Sequence, residues 1–332
     1  CKHCLLQPKQ RHNRTRIMAN EVEKLNAIAI ANIEKINGLI KTAIQAVNGL
    51  EFTSGVTAWT TTTAISTSRD RRGTGGAGNN TDFVLMGGYD DASTYQGWTD
   101  EWNGSSWAAQ SGMPGNYLTG GWFAGGRFGR TSNDGGSVGG YRYNYTHATK
   151  EYNGSSWSYG GSLSQGRQSQ GATGESTNAA VTFGGWYGYY VQSTEEYNGS
   201  SWSTSNNLPY TSSAPGAMGS LNDALQIAGN NGGSNAQTCS EYNGSTWSTT
   251  NSVLMAAGQD PQAFGHSTTT GHATGTSGDK SAHNTYDGSS WSTAASHNTG
   301  RTAGGSGGGD SSGFVASGSG ASAITPTCEE WA

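Results

Sequence analysis

The feature that most constrains this chain is a seven-residue phrase that it repeats. Glu-Tyr-Asn-Gly-Ser-Ser-Trp stands at 151–157 and again at 196–202. Near copies occupy Glu101–Trp107, Glu241–Trp247 and Thr285–Trp291, and a sixth opens at Glu330-Trp331. The aromatic in second place is Trp102, Tyr152, Tyr197, Tyr242, Tyr286 and Trp331, stepping by 50, 45, 45, 44 and 45 residues. A fixed period of this length, with chain enough for four short strands per unit, predicts a β-propeller.

Each copy carries a hairpin signal. Asn-Gly supplies two adjacent residues that tolerate positive φ, so the Tyr ends one strand and the Trp begins the next. Tyr and Trp then share one face of the hairpin and pack between blades, while the Glu before the Tyr points the other way. That fixed place beside the turn assigns Glu101, Glu151, Glu196, Glu241 and Glu330 to a repeated structural hydrogen bond rather than to a ring of acids around an ion. The Asn-Gly-Ser sequons at Asn103, Asn153, Asn198 and Asn243 are explained by the same turn.

The ends of the repeat array fit each other. The sixth copy stops at Trp331 without a following strand, and Val56–Thr60 contributes an unpartnered Trp59 before the first full repeat. The Trp positions 59, 107, 157, 202, 247 and 291 are spaced by 48, 50, 45, 45 and 44 residues. We therefore expect the strand around Trp59 to pair with Glu330-Trp331 and close a ring of six blades over 54–332, which removes two open sheet edges.

Two segments precede the repeats. Residues 1–17 are basic and unlike the rest; they read as upstream sequence or as a disordered arm, without the apolar stretch of a signal peptide. Cys1-Lys2-His3-Cys4 is a single CxxC with no second half and implies no metal site. Residues 18–53 place Val22, Leu25, Ile33, Ile36, Ile40, Ile44 and Val47 on a helical spacing with an 11-residue repeat. That repeat predicts a helical stalk or anchor with a right-handed supercoil, through which the chain forms a homo-oligomer. The alternative is two short helices, each stopped at its Asn-Gly.

Composition narrows the function. Net charge is −5 and only 12% of residues are charged, which argues against a nucleic-acid partner. No apolar run reaches the roughly 18 residues of a membrane span. Glycine, at 53 of 332 residues, could signal disorder, but 11 Trp and 15 Tyr in register point to a turn-rich β fold with an aromatic core.

An apolar run, Gly-Gly, then Tyr, then Trp resembles the kelch repeat of β-propellers over about 56–332, as in Phe83–Gly88 and Ala179–Gly185. The variant Glu-Tyr-Asn-Gly-Ser-Ser-Trp, behind a leader such as Asn32–Leu39, looks like repeat proteins in the virions of marine tailed phages. That resemblance implies a virion tail or fibre component, with other virion proteins and a host cell-surface glycan or protein as partners. A secreted or cell-surface bacterial lectin is the alternative.

Enzymatic readings fare poorly. Kelch oxidases resembling galactose oxidase need two His, two Tyr and a Tyr–Cys crosslink. Here His147, His266, His272, His283 and His297 follow no repeat logic, and Cys239 and Cys328 occupy equivalent places in blades four and six, a blade apart. Too far apart for a disulfide, they read as small buried residues. The sialidase turn, with Asp and Gly one residue apart, is not matched by adjacent Asn and Gly. We expect no catalytic residues, cofactor or metal.

One asymmetry breaks the repeat. The stretch after the second strand is aromatic in blades one to three and Gly- and Asn-rich later. Tyr89, Tyr95, Tyr143, Trp186, Tyr187 and Tyr189 are therefore candidate binding residues, on the side of the ring away from the stalk, because structural duty would repeat with the blade.

Overall fold

A computed structural model describes residues 58–66, 75–89, 95–114, 126–142, 144–309 and 311–331, with short paired stretches at 35–36, 39–40, 46–47 and 50–51. Cys1–Val56 and Thr57–Ala332 are two compact units.

Thr57–Ala332 is an all-β propeller of six antiparallel four-stranded sheets, each running a-b-c-d in order. Blade one comprises Gly75–Gly78, Phe83–Tyr89, Tyr95–Trp102 and Trp107–Ala109. Blade two is Gly126–Thr131, Asp134–Val138, Thr149–Tyr152 and Trp157–Tyr159, and blade three Gly171–Ser176, Ala179–Phe183, Thr194–Tyr197 and Trp202–Ser205. Blade four is Gly216–Ser220, Asp223–Asn231, Ser234–Tyr242 and Trp247–Thr250, and blade five Gln262–Ser267, Thr270–Thr274, His283–Tyr286 and Trp291–Thr293. Blade six takes a, b and c from Gly305–Gly309, Ser312–Ala316 and Cys328–Trp331, and d from Trp59–Thr62.

The expected closure is therefore present. Trp331 pairs with Trp59 and Cys328 with Thr62, the register that joins Tyr197 to Trp202 in blade three. The d strands begin about two residues later than Asn-Gly alone suggests, because the c–d connection is a four-residue loop. In Asn198–Ser201, Asn198 Oδ1 accepts from the backbone N–H groups of Ser200 and Ser201, and Gly199 sits at φ 88°. In blade five Asp287 does the same work, and the N–H groups of Ser290 and Ser289 hold its carboxyl down at about 2.

The b strands are flanked on both faces by neighbouring blades, which is why they are buried without alternation, and apolar in blades one and six. Phe83, Val84, Leu85 and Met86 are all buried, as are Phe314, Val315 and Ala316. The paired rings Tyr197–Trp202 stack with centroids 4.8 Å apart, and Tyr242–Trp247 and Tyr286–Trp291 repeat the contact at 4.9 and 4.8 Å.

Two polar contacts join successive blades. The c-strand tyrosine donates to the Glu of the blade before it: Tyr152 to Glu101 at 3.0 Å, Tyr197 to Glu151 at 2.5 Å, Tyr286 to Glu241 at 2.6 Å, and Tyr242 to Glu196. These glutamates are thus inter-blade acceptors. Burial, reinforced by the bonded carboxylate, raises the Tyr197 hydroxyl to about 12. Glu330 faces the blade whose aromatic is Trp102, which has no hydroxyl; burial raises its pKa while a bond from Thr62 opposes the shift.

The second contact uses the residue three places before the c-strand aromatic. Thr99, Thr149 and Thr194 accept the indole N–H of Trp157, Trp202 and Trp247 at 2.9, 2.7 and 2.9 Å. His283 takes that place in blade five and receives Trp59. Cys239 and Cys328 occupy it in blades four and six; both are free thiols, fully buried, and burial pushes them up to about 12 and about 11.

The helical expectation for 18–53 fails where the chain is described. Lys35–Ile36 pairs antiparallel with Leu39–Ile40, and Ala46–Val47 with Leu50–Glu51. Each pair brackets an Asn-Gly, so hairpin chemistry outweighs the 11-residue apolar spacing at these positions. Ile36, Ile40 and Val47 lie on these short strands; Val22, Leu25, Ile33 and Ile44 lie outside the described residues.

Candidate binding surface on blades two and three

Antiparallel order places the b–c loops and the d–a segments at one end of the strands, with the Asn-Gly loops at the other. Backbone bonds tie the first two together across blades: Gly140 N–H donates to Arg167 O, and Gly185 N–H to Ser212 O, both at 2.7 Å.

Tyr187 and Tyr189 stand on the b–c loop of blade three, 39% and 55% exposed. The loop is built to present them. Trp186 N–H donates to Gln168 O, Gln168 N–H returns the bond to Trp186 O, and Tyr187 N–H closes a tight turn onto Tyr189 O. Gly188, between the two tyrosines, turns the chain at φ 74° with open space where a side chain would be. Trp186 itself is half-buried and packs edge-on against Tyr190, centroids 4.7 Å apart. It supports the loop from beneath.

The rings continue onto blade two. Tyr145 lies 4.9 Å from Tyr187 and 5.0 Å from Tyr141, centroid to centroid, and its hydroxyl accepts from Gly188 N–H at 2.9 Å. Tyr187 and Tyr189 meet edge-to-face at 5.9 Å. Gln165 Nε2 donates to the Tyr189 hydroxyl at 2.9 Å. Four rings thus form one connected aromatic strip across two blades, with an amide at its edge.

A buried ion pair underlies the strip. Arg167 donates to Glu195 Oε1 at 2.8 Å, with both side chains out of solvent. Its guanidinium also bonds Ser193, while its backbone N–H and C=O hold Thr146 and Gly140 of blade two. Burial lowers the Arg167 pKa, and the Glu195 carboxylate opposes that shift. Arg301 and Glu329 repeat the pair in blade six.

The sequence candidates are distributed unevenly. Tyr187 and Tyr189 are exposed together, and Trp186 is a half-buried neighbour rather than a contact ring. Tyr89 and Tyr95 stand opposite each other at the ends of strands b and c of blade one, on strands rather than in a loop. Tyr143 lies outside the described residues, as does the placement of 1–34 relative to this surface. Tyr141 and Tyr145 belong to the strip; their alternation with Tyr143 was the available signal.

The histidines are less scattered than their numbering suggests. His272 Nδ1 lies 2.9 Å from His283 Nε2, and His283 Nδ1 lies 3.2 Å from Trp59 Nε1 and 3.1 Å from Ala295 O. His297 packs edge-on against Trp59 at 4.3 Å, buried, with neither ring nitrogen hydrogen-bonded. Burial, with His272 adding to it, lowers His283 to about 3; burial, then Arg301 and His283, pushes His297 well below its ordinary value. Burial thus favours the neutral imidazole at His283 and His297, which pack against Trp59, with His272 bonded to His283.

These features define the chain's propeller as six-bladed and closed by its own N-terminal strand. A solved structure titled "Structure of YjhT" is similar, with a TM-score of 0.63 over 80% of this chain and 95% of that one. At 13% sequence identity the likeness is one of fold. No protein-family profile and no curated protein sequence matches the chain.

Proposed function

We propose that the chain is a non-enzymatic binding protein, a tail or fibre component of a phage virion. On this reading the aromatic strip of blades two and three holds a host-surface glycan or protein, or a neighbouring virion protein. The observation that carries the binding role is the exposed pair Tyr187 and Tyr189 on a loop that departs from the repeat. Structural aromatics in this fold recur with the blade; these do not, and exposed rings beside polar groups suit stacking and gripping. The virion setting rests on the resemblance of the repeated phrase and its leader. Labelling purified particles against this chain tests that setting; absence of label on the particles overturns it.

A carbohydrate-binding propeller free of any particle is the second reading, favoured by the Gln165 amide beside the Tyr189 ring. Glycan binding by the purified protein, without particle association, would select it. Assembly through 21–50 is part of the first reading. Light scattering of the full-length chain tests that assembly; a monomer at high concentration would count against it.

A further inference from the structure

The junction between blade five and the closing strand departs from the repeat at three places, each time with a histidine. The first is the residue whose backbone N–H donates to the C=O two residues before Thr99 or its equivalent. In the other blades it is Met113, Leu163, Leu208, Val253 and Ile65, all buried, and in blade five it is His297. The second pairs with the residue before the c-strand aromatic. It is Val84, Gly136, Val181, Leu225 and Phe314, and in blade five His272, opposite Thr285. The third is the place that receives the indole N–H: Thr99, Thr149 and Thr194, the thiols Cys239 and Cys328, and in blade five His283. Trp59 packs against His283 and His297 at 5.3 and 4.3 Å, and His272 reaches it through His283.

The bonds at this junction require a neutral His283. An indole N–H can only donate, so His283 Nδ1 accepts from Trp59 and carries no proton. The one proton of that ring then sits on Nε2 and is donated to His272 Nδ1, 2.9 Å away. A second proton would occupy Nδ1 and turn it to Ala295 O, 3.1 Å away, so Trp59 would lose its acceptor. His297 is buried with neither ring nitrogen bonded, so its charged form has no partner in place.

The neighbouring charges do not relieve this. Glu329 already bonds Arg301 and the N–H groups of Asn298 and Thr299, and Arg301 adds positive charge beside His297. In the b–c loop of blade five, Asp279 holds the N–H groups of Ser281 and Ala282, and Lys280 bonds Gly320 O. His266 stands on strand a two residues beyond Phe264, the ring that stacks on His272. Trp59–Thr62, Trp291–Thr293 and Ser312–Ala316 carry no titratable group. Glu330 is bonded to Thr62 of the closing strand itself.

We propose that this clasp is a proton-sensitive latch: mild acid reversibly releases Trp59–Thr62 from blade six while blades one to five stay folded. Burial lowers the pKa of His283 and His297, so the opened strand leaves both free to bind protons that the closed one refuses. A histidine that is neutral when closed and titrates at 6.5 when open multiplies opening by about tenfold between pH 7.5 and 5.5, and two do so by about a hundredfold. Burial raises the pKa of Glu330, which favours the closed strand in acid and reduces that figure. The latch does not depend on the aromatic strip.

Hydrogen exchange of the full-length chain at pH 7.5 and 5.5, corrected for the intrinsic rate at each pH, reads the opening directly. Trp59–Thr62 and Cys328–Trp331 should open at least about tenfold more at pH 5.5. Thr194–Tyr197 and Trp202–Ser205 of blade three should not change, and return to pH 7.5 should restore protection. His283→Thr with His297→Leu installs what other blades carry and keeps Glu330. With its fold checked by near-ultraviolet circular dichroism, its closing strands should open no more at pH 5.5 than at 7.5. Should that pair not fold, His297→Leu alone should reduce the pH effect about tenfold. The proposal is overturned if the wild-type closing strands open equally at both pH values, if blade three opens with them, or if the folded variant keeps the full pH effect.

Discussion

Trp59 stands directly opposite Trp331 in blade six, their ring centroids 5.7 Å apart, although the two come from opposite ends of the propeller sequence. Its indole N–H reaches back to His283 of blade five, so one side chain joins the last two blades as well as the first and last strands. Trp59→Ala should cost about 3–5 kcal/mol, the range for truncating a buried aromatic. Urea unfolding followed by tryptophan fluorescence measures it; a loss under 1 kcal/mol, taken as roughly the size of a surface change, would mean that the ring does not depend on this clasp.

The inter-blade tyrosines give a second prediction. Tyr197→Phe removes the hydroxyl that Glu151 accepts and that receives Gly161 N–H. The pair is partly solvated, so the expected loss is about 1 kcal/mol. A double-mutant cycle with Glu151→Gln should show coupling, and the same cycle on Tyr197 and the distant Glu241 should show none.

The buried Arg167–Glu195 pair predicts an asymmetric result. Glu195→Gln leaves a guanidinium without its counter-charge in a site closed to solvent, for a loss of about 3–5 kcal/mol. Replacing both partners by apolar residues of similar volume should recover much of that loss. Because Arg167 also ties the loops of blades two and three, the single variant should raise hydrogen exchange at Tyr187–Tyr189 before global unfolding.

Acid should loosen the closing blade. The folded pKa of His283, about 3, lies below its ordinary 6.5, and that of His297 is lowered too. A depressed imidazole contributes its full stability above 6.5, and that contribution falls as pH drops from 6.5 towards 3. Below 6.5 each buried histidine should remove up to about 1.4 kcal/mol per pH unit. Protonated His283 also donates from Nδ1 to Ala295 O, leaving the Trp59 N–H without its acceptor. His297→Leu should flatten the stability–pH profile between pH 6.5 and 5, because the buried imidazole resists protonation there; an unchanged slope would remove His297 from the account.

On the proposed binding surface, Tyr187→Ala with Tyr189→Ala should weaken attachment by about 1–3 kcal/mol, the scale of interface hot spots. Both rings are substantially exposed, so unfolding free energy should move by less than about 0.5 kcal/mol. Particle adsorption and thermal melting, measured side by side, separate the two effects. Equal adsorption by the variant would move the binding surface elsewhere.

Blade number, strand order and closure were legible because five blades set an aromatic pair behind the same turn and the sixth supplies its pair from the two ends of the array. Trp331 without a following strand and Trp59 without a preceding one demanded each other. Strand ends slipped because Asn-Gly fits loops of two or four residues, and only the Asn198 bonds to Ser200 and Ser201 choose four. The segment around Ile36 and Val47 misled because an 11-residue spacing suits a helix, whereas the same spacing also repeats Asn-Gly. The histidine cluster was illegible for a different reason: His272 and His283 meet only through the b–c pairing of blade five, and His297 joins them only at Trp59, the strand that closes blade six.

Closure by the first strand sets a schedule for folding. During synthesis Trp59–Thr62 leaves the ribosome long before Cys328–Trp331, its only sheet partner in blade six. At about 5–20 residues per second, that strand waits on the order of tens of seconds. Five blades can assemble in order while the ring stays open, so the nascent chain spends that interval with a tryptophan-bearing strand unpaired. Delay at late codons would prolong this exposure, and a chaperone that shields the early strand would act before the last blade exists.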